Sequence, residues 1–479
     1  MRTSSMMAFG RRATRHLRGM SVLAATLLLA GCASLGPDAG LDPVRQMVGE
    51  RLGPQQAQSL QARPATQRAP ELDALLAAPM TVDSAVQIAL LNHPGLQADL
   101  HGLGVSEAEL VQASRLPNPG FSWGRSRQGH EREIERGLGL ELGHLLALPL
   151  IRQAQSQRLA AAQLETAQRV LSHVAETRKA FYTAVAAQQT LAYQRDVQTA
   201  AEAGAELARR MAQTGNWSAL QQAREHAFYA EAALGTARAE RALMSARERL
   251  SRLLGLWGAQ TDYRLSERLP DLPASAQPRP ALEQEALGQR LDLRASLAQT
   301  EALARQLGLQ RATRWVNVLE LDLLHANSNE APRKTGFEFS LELPLFDWGD
   351  ARVARAERQY MQNLHRSAQI AVEARSELRQ AYQNYRAAHD VARHYRDELV
   401  PLARRVSEQN LLRYNGMFIG VFELLADTRA QIGTVNASIE ALRDFWLAQA
   451  DYELAQVAKP ALGGPASPKA AAAAAGADH

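Results

Sequence analysis

The clearest pattern in the chain is an alternation of apolar and polar residues in its second half. Apolar side chains stand at every second position from Phe337 to Leu345, with polar residues or proline between them. This period of two predicts a strand with one apolar and one polar face. A similar alternation at Leu138, Leu140 and Leu142 predicts a matching strand in the first half. Strands of this length match the roughly 9 to 11 residues that cross an outer membrane at a tilt.

Two long segments, about 151–213 and 351–413, are rich in Ala, Gln, Glu, Arg and Leu. Their apolar residues recur at spacings of three and four, which predicts helices that each extend about 100 Å at 1.5 Å per residue. The turn signals Thr214-Gly215-Asn216 and Asn415-Gly416 follow these segments, and another helical stretch follows each turn. Each long helix is therefore predicted to turn back as an antiparallel helical hairpin.

The two halves of the chain repeat one order of elements: helix, strand, turn, strand, very long helix, tight turn and helix. Leu140-Glu141-Leu142 matches Leu341-Glu342-Leu343, and Gly215 matches Gly416 at the same offset. The sequence therefore predicts six segments, of which two are the repeats. In chain order they are a signal peptide (1–31), a lipidated segment and linker (32–80), the first repeat (81–258, strands about 118–146), a linker (259–282), the second repeat (283–457, strands about 315–346) and a disordered tail (458–479).

The N-terminus has the pattern of a bacterial lipoprotein. Five arginines precede an apolar stretch from Met20 to Ala30, which is too short to span a bilayer. The stretch ends at Leu29-Ala30-Gly31-Cys32, and Cys32 is the only cysteine of the chain. We expect cleavage before Cys32 and lipid on its thiol, with sorting to the outer membrane because Ala33, not aspartate, follows. The alternative is an ordinary signal peptide with an incidental cysteine.

Composition narrows the possible functions. Lys+Arg 54 against Asp+Glu 50 gives a net charge of +4, and several of the positive charges lie in the signal peptide, so no nucleic-acid partner is expected. After the signal, no apolar run approaches the about 18 residues of a membrane helix, so strands would have to cross the bilayer. Four strands cannot close a barrel alone, which predicts an oligomer.

Three segments resemble landmarks of the outer membrane factors, the TolC family. They are Leu116-Pro117-Asn118-Pro119 before the first strand, Pro344-Leu345-Phe346-Asp347-Trp348-Gly349 after the fourth, and Arg413-Tyr414-Asn415-Gly416 at the second turn. The resemblance covers residues 81–457, and Cys32 is similar to the anchor of the lipoprotein branch. It implies a mostly helical fold and a homotrimer whose twelve strands form one membrane β-barrel, continued by a periplasmic α-helical barrel. It also implies a periplasmic adaptor and an inner-membrane pump of the resistance-nodulation-division type as partners.

The alternation, the turn positions and the resemblance together predict roles for residues at three places. The membrane belt would consist of Phe337, Phe339, Leu341 and Leu343. The hairpin tips that dock the adaptor would contain Gly215, Asn216, Asn415 and Gly416, and Gly416 is expected to have a positive φ. The gate at the periplasmic entrance would contain Tyr414, Glu423 and, through a local shift, Asp427. Ile419 and Ala426 stand where the family has an arginine and a second aspartate, so we expect the full ionic lock to be missing.

These observations favour an outer membrane channel of a tripartite efflux system that exports small molecules or ions. A channel for type I protein secretion is one alternative, and a lipid-anchored periplasmic coiled-coil scaffold without a pore is another. No enzyme is expected, because no nucleophile, phosphate loop or dinucleotide pattern appears. No metal or cofactor is expected either, since His389 and His394 are five positions apart, not four. Drugs, metal ions and secreted proteins remain open as substrates.

Overall fold

The structure of the protein is a computed structural model that describes residues 35–36, 38–62, 64–276, 287–315, 319–342 and 344–460. Cys32, Leu343 and the tail beyond 460 lie outside the described residues, so the predictions for them stay predictions. The described helices and strands follow one another along the chain as given next. They are α1 (Asp42–Leu52), α2 (Pro54–Gln58), α3 (Ala65–Ala77), α4 (Val82–Asn92), α5 (Pro94–Ala113), β1 (Gly120–Gln128), β2 (Glu131–Glu141), α6 (Leu142–Gln213), α7 (Ala219–Leu254), α8 (Leu291–Ala312), β3 (Leu319–Ser328), β4 (Lys334–Leu341), α9 (Asp350–His394), α10 (Val400–Asn415) and α11 (Val421–Ala455).

The element order confirms the two structural repeats. In each repeat a helix leads into a strand pair, then into a long helix, a tight turn and a returning helix. The predicted first helix is divided in two at Pro94, which has no N–H to continue α4 and instead begins α5. Thr81 caps α4 as expected: its hydroxyl accepts the Ser84 amide at 3.2 Å, and the Ser84 hydroxyl accepts the Thr81 amide at 2.8 Å.

The four strands form one antiparallel sheet in the order β1-β2-β3-β4. The sheet belongs to a unit that contains Gly102–Ala162 and Ser296–His365. All of β4 is exposed, and β1 is exposed at every position except Gly124, which is half-buried. No helix among the described residues combines the length and apolar content needed to cross a membrane.

The boundary between β2 and α6 differs from the prediction. Leu142 was expected in the strand, but β2 ends at Glu141 and the 72-residue helix α6 begins at Leu142. A Cβ at Gly143 would lie 3.6 Å from the Leu319 backbone nitrogen, so the first turn of α6 packs where β3 begins. If β2 continued, Leu142 would need a hydrogen-bonded partner on β3. The contact between the first turn of α6 and the start of β3 takes the place of that pairing. At 1.5 Å per residue α6 rises about 108 Å, in agreement with the predicted length.

The second long helix is not continuous, although a single helix was expected. Five residues of π-helix, Tyr395–Leu399, separate α9 from α10. Pro401 is the second residue of α10 and has no amide to donate to Asp397, four residues before it. A π-helical turn inserts one extra residue and removes this mismatch. The prediction overlooked Pro401.

The second unit contains Asp42–His101, Gln163–Ala295 and the residues from Arg366 onward, and it has the large apolar core. Phe181 of α6, Leu250 of α7 and Ile439 of α11 belong to one buried cluster. A second cluster stacks Tyr385 of α9 on Tyr452 of α11, with ring centroids 5.2 Å apart. Helices of both repeats therefore share this unit's core.

Ion pairs join α6 to α11 beside the core. Lys179 lies 2.5 Å from Glu176 and 2.9 Å from Asp451, and Arg178 lies 2.7 Å from Glu453. Burial alone would lower the pKa of Lys179, but its hydrogen bonds to Glu176 and Asp451 raise that pKa above its ordinary value. Removal of one partner would leave an unpaired charge in a largely buried place. These ion pairs therefore fix the position of α6 of the first repeat against α11 of the second.

The imidazole of His93, between α4 and α5, contacts the imidazole of His173 on α6. The His93 and His173 ring centroids are 4.2 Å apart, and His173 Nε2 lies 2.8 Å from the Leu253 carbonyl oxygen. Burial and, to a smaller extent, the neighbouring His93 together lower the pKa of His173 to about 4. His173 is therefore neutral in the folded protein at pH 5 to 7.

We predict that acid destabilises this unit through His173. The unfolded chain binds a proton near pH 6.5 and the folded chain near pH 4, so stability is lost as pH falls between these values, by about 3 kcal/mol in total. His173→Gln keeps a donor for the Leu253 carbonyl and does not titrate, so its melting temperature should fall less between pH 7 and 4.5, measured by circular dichroism. His101→Gln, at an exposed position, is the control. An equal fall in wild type and His173→Gln would contradict the prediction.

Candidate functional site

Apolar residues from all four strands lie on one face of the sheet. Strand pairing places these residues in rows, because paired residues of neighbouring strands point to the same face. One row is Phe121, Leu138, Leu323 and Phe337, and the next is Leu140, Leu321 and Phe339. Phe337 is 76% exposed and Phe339 is 54% exposed. A continuous exposed apolar face of this kind is typical of a surface that contacts a membrane or another protein.

The opposite face of the sheet is acidic. The rows on this face contain Glu141 paired with Glu320, and Asp322 paired with Glu338. Gly139 stands beside Asp322, and a Cβ at Gly139 would lie 2.5 Å from an Asp322 carboxylate oxygen. The glycine therefore leaves the space into which this carboxylate folds. The polar face that the alternation predicts for β4 thus continues across β3 to β2.

The first hairpin tip has the turn chemistry that the sequence predicts. Gly215 has φ +79°, a left-handed conformation that side chains disfavour. The Asn216 amide donates to the Met211 carbonyl at 2.9 Å, which closes the end of α6. Nearby, hydrogen bonds from Arg209 and Arg210 lower the pKa of Glu206 to about 2, so this carboxylate stays charged.

The second hairpin tip differs from the prediction. Gly416 has φ −82°, so the expected positive φ is wrong, and the left-handed residue is Met417, with φ +61°. The Phe418 amide donates to the Arg413 carbonyl at 2.8 Å, a bond that needs Met417 in this conformation. Met417 is 93% exposed and Phe418 is 80% exposed, so the tip presents two apolar side chains. A Cβ at Gly416 would lie 2.8 Å from the Phe418 ring, so Gly416 makes room for that ring.

The predicted gate residues are near one another along the chain but do not form a connected group. Tyr414 is 38% exposed, Glu423 is exposed, and Asp427 is half-buried. Asp427 Oδ2 is buried and has no hydrogen-bond partner among the described residues. Within the same residues, no hydrogen bond joins Tyr414 to Glu423. Ile419, which stands where the resemblance implies an arginine, is buried at 8% exposure.

An ion pair outside the predicted gate residues joins the two hairpins, and no feature of the sequence predicted it. Glu225 of α7 is 2% exposed, and Arg429 Nη2 of α11 lies 3.2 and 3.3 Å from its two carboxylate oxygens. The Arg429 guanidinium also lies 4.2 Å from the centroid of the Phe228 ring. Ile432 packs on the apolar cluster beside this pair. The two charged residues are 204 positions apart, so no local pattern could reveal their contact.

Comparison with known proteins finds no family model that matches this chain. A relative in sequence is the cobalt-zinc-cadmium resistance protein CzcC of Cupriavidus metallidurans. The two are 24% identical over 288 residues, which cover 59% of this chain and 67% of that protein.

Two solved structures have the same fold. A membrane protein from Pseudomonas aeruginosa matches with a TM-score of 0.68 and 20% identity over 78% of this chain and 92% of that one. The open state of the Neisseria gonorrhoeae MtrE outer membrane channel matches with a TM-score of 0.65 and 19% identity over 78% and 88%. The chain therefore has the fold of outer membrane channels, which confirms the fold expected from the TolC-family resemblance.

We predict that Gly416→Val disturbs the second tip, because its side chain would displace the Phe418 ring. Amides of residues 414–418 should exchange with deuterium faster, while exchange in the strands stays unchanged. Gly420→Val is the matched control: Gly420 has φ −81°, and nothing lies within 4 Å of its added Cβ. Equal effects of the two substitutions would show that the Phe418 contact is not the cause.

Proposed function

We propose that this chain is the outer membrane channel of a tripartite efflux system. The two-faced sheet carries the proposal, because it presents Phe337 and Phe339 on one side and Glu338 on the other, with both sides exposed. Such a sheet suits a wall between hydrocarbon and water. A scaffold without a pore would not need a sheet with one apolar and one acidic exposed face. The relation to CzcC and the fold of MtrE support the same function.

The assembly is a homotrimer. β1 and β4 are the edge strands, and open edges are not tolerated in lipid. Three copies with four strands each close one twelve-stranded barrel, and the helices of the repeats continue it as a tunnel into the periplasm. Lipid on Cys32 anchors each copy to the outer membrane. The tips around Gly215 and Gly416 meet a periplasmic adaptor and, through it, an inner-membrane pump of the resistance-nodulation-division type.

The cargo class that we propose is cationic. CzcC is named for resistance to cobalt, zinc and cadmium. The polar face of this chain's sheet carries Glu141, Glu320, Asp322 and Glu338, and trimer formation would triple these charges. Fixed carboxylates along a water-filled wall raise the local concentration of cations and repel anions.

Phe339 and Glu338 provide a direct test of the two faces. Phe339→Arg would place a charge against hydrocarbon at roughly 2 to 4 kcal/mol per chain near the midplane, so trimers should fail to insert. The Glu338→Arg side chain points to the opposite face and should leave trimers intact. The reversal potential should shift in the direction that reports a greater preference for anions. Heat-modifiable migration in gels reports assembly, and planar bilayers report selectivity. If both variants lost assembly equally, the assignment of the faces would be wrong.

In this proposal, the ion pair between Glu225 and Arg429 keeps the channel closed in its resting state. This pair ties α7 of the first repeat to α11 of the second, within the helical unit that ends at the tips. Glu225 is nearly inaccessible, so removal of its cation leaves an unpaired buried charge, which is more costly than loss of an exposed pair. Tyr414 and Glu423 are exposed and contribute less.

We predict that Arg429→Met raises the single-channel conductance of the resting trimer more than the double change Tyr414→Phe with Glu423→Gln. The matched control is Arg404→Met on α10, because Arg404 and Glu408 form an ion pair whose side chains are 76% and 59% exposed. Its conductance should equal that of wild type. A larger jump for the Tyr414 and Glu423 double variant would move the gate to those residues.

A further inference from the structure

The charged residues of the sheet are sorted by sign between its two faces. Strand pairing places all four arginines of the strands on the apolar face, at Arg125, Arg127, Arg132 and Arg136. The carboxylates of the strands all lie on the opposite, acidic face, which includes Glu131, Glu133 and Glu135 of β2. The two faces therefore differ in charge as well as in polarity, because arginines follow the apolar rows on one face and carboxylates occupy the other.

The arginines lie beyond the row of Phe121 and Leu138, at the end of the sheet where the strands turn. Arg136 is two residues before Leu138 on β2, and Arg127 and Arg132 pair with each other nearer the turn. The four residues from Arg136 to Arg132 extend about 14 Å at 3.4 Å per residue, or about 10 Å along the membrane normal at a tilt of about 40°. This height is enough to cross a lipid headgroup layer of roughly 5 to 8 Å. The other end of the sheet joins the helices, so in the proposed channel the arginines are at the cell exterior.

No carboxylate neutralises these arginines within the part of the chain that the structure describes. All four are exposed, and none of their guanidinium groups is in an ion pair there. On the acidic face, Glu133 instead lies 3.8 Å from Lys334, and Glu131 accepts a hydrogen bond from Ser328 Oγ at 2.8 Å. Arg127 and Arg132 are directly opposite each other, and like charges at such positions destabilise a strand pair. An anion bound between them would remove this repulsion.

A fifth arginine joins this group from the second strand hairpin. Arg333 Nε donates to Asn327 Oδ1 at 3.1 Å, and the pairing of β2 with β3 places Asn327 on the arginine-bearing face. Asn329 ties the turns of the two strand hairpins together, because its Oδ1 accepts the Arg132 amide at 2.6 Å and its Nδ2 donates to the His130 carbonyl at 3.1 Å. The five arginines, here called the arginine surface, are therefore carried by one connected end of the sheet.

The strands of a neighbouring copy would not supply the anion. In the proposed barrel, β1 of one copy lies beside β4 of the next. On the apolar face β4 presents Thr335, Phe337, Phe339 and Leu341, none of which is charged. Each copy therefore adds arginines and no strand carboxylate to this face of the barrel, and the surrounding membrane is the source of anions that remains in contact with it.

We propose that the arginine surface binds the phosphate groups of the lipid that forms the outer leaflet of the outer membrane, a phosphorylated glycolipid. A planar guanidinium group donates two parallel hydrogen bonds to a phosphate, which makes arginine well suited to this headgroup. The acyl chains of the same lipid lie on the row of Phe121 and Leu138, so the site takes a lipid and not a free phosphate ion. This inference rests on the proposed function, since it assumes that the sheet lies in the membrane.

The test uses the full-length lipidated trimer in a nonionic detergent, with bisphosphorylated lipid A as the probe and native mass spectrometry to count the bound lipid. Arg127→Gln with Arg132→Gln should raise the Kd for this lipid at least about tenfold, because charged hydrogen-bond donors are lost from two side chains. Lipid A without its phosphates should bind wild type and this variant equally weakly.

The matched control is Arg238→Gln with Arg241→Gln. Both arginines are exposed on α7 in the helical unit, and the change removes the same charge. The Kd of the control for bisphosphorylated lipid A should equal that of wild type. Arg125→Gln with Arg136→Gln is a second variant of the arginine surface that should also weaken binding, so the test stands even if the first variant fails to form trimers.

An unchanged Kd in the variant trimers would overturn the proposal, and a lower dissociation temperature of these trimers would then assign the arginines to a contact between copies. Binding of inorganic phosphate as tight as that of lipid A would also overturn it, since the site would then take a free anion. Conductance of the wild-type trimer in planar bilayers tests the proposed function separately. A conducting trimer whose variants bind lipid A normally rejects this inference alone, whereas a protein that neither forms trimers nor conducts rejects the channel and this inference together.

Discussion

Unpaired backbone groups at two strand edges are the constraint on which the rest of this structure depends. β1 and β4 end the sheet, and each leaves a row of N–H and C=O groups that pair with no other strand among the described residues. In water such edges invite aggregation, and in lipid each unsatisfied group costs several kcal/mol. Among the residues that the structure describes, no packed layer covers the faces of β4, whose positions are all exposed. In the proposed channel, copies of the chain and the surrounding lipid would stabilise the sheet, while the helical unit folds on a core of its own.

The sequence predicted β4 because strict alternation at Phe337, Phe339 and Leu341 is incompatible with a helix. It did not predict where β2 ends, because Leu142 fits a strand row and a helix face equally well. The reason that α6 begins there is the contact of Gly143, in its first turn, with Leu319, 176 positions later in the chain. Alternation is a local property, whereas the end of a ladder is decided by its partner.

The same distinction explains the gate and the second tip. Glycine in a short turn suggested a positive φ at Gly416, yet the ring of Phe418 occupies the space beside Gly416, and Met417 takes the left-handed conformation. The missing arginine at Ile419 was visible from the sequence, but its replacement was not. Arg429 meets Glu225 only because helices of two repeats pack together. Sequence reasoning located both tips, and packing decided which residues of the helical hairpins pair with one another.

The repeat itself explains why the contact of Arg429 with Glu225 and Phe228 depends on how the two repeats pack. Gly215 and Gly416 are 201 positions apart, and the same offset relates Phe228 to Arg429 and Glu225 to Ala426. The Arg429 guanidinium lies on the Phe228 ring, so equivalent positions of the two repeats face each other between α7 and α11. Identical repeats would place like residues together there: two arginines would repel, and two phenylalanines would pack without a charge to hold them. Because the repeats carry unlike residues, the crossing gains a cation–π contact and an ion pair to a buried carboxylate, and both depend on one geometry. A helix movement that separates the two repeats must break both interactions at once, whereas apolar contacts along the same helices tolerate sliding.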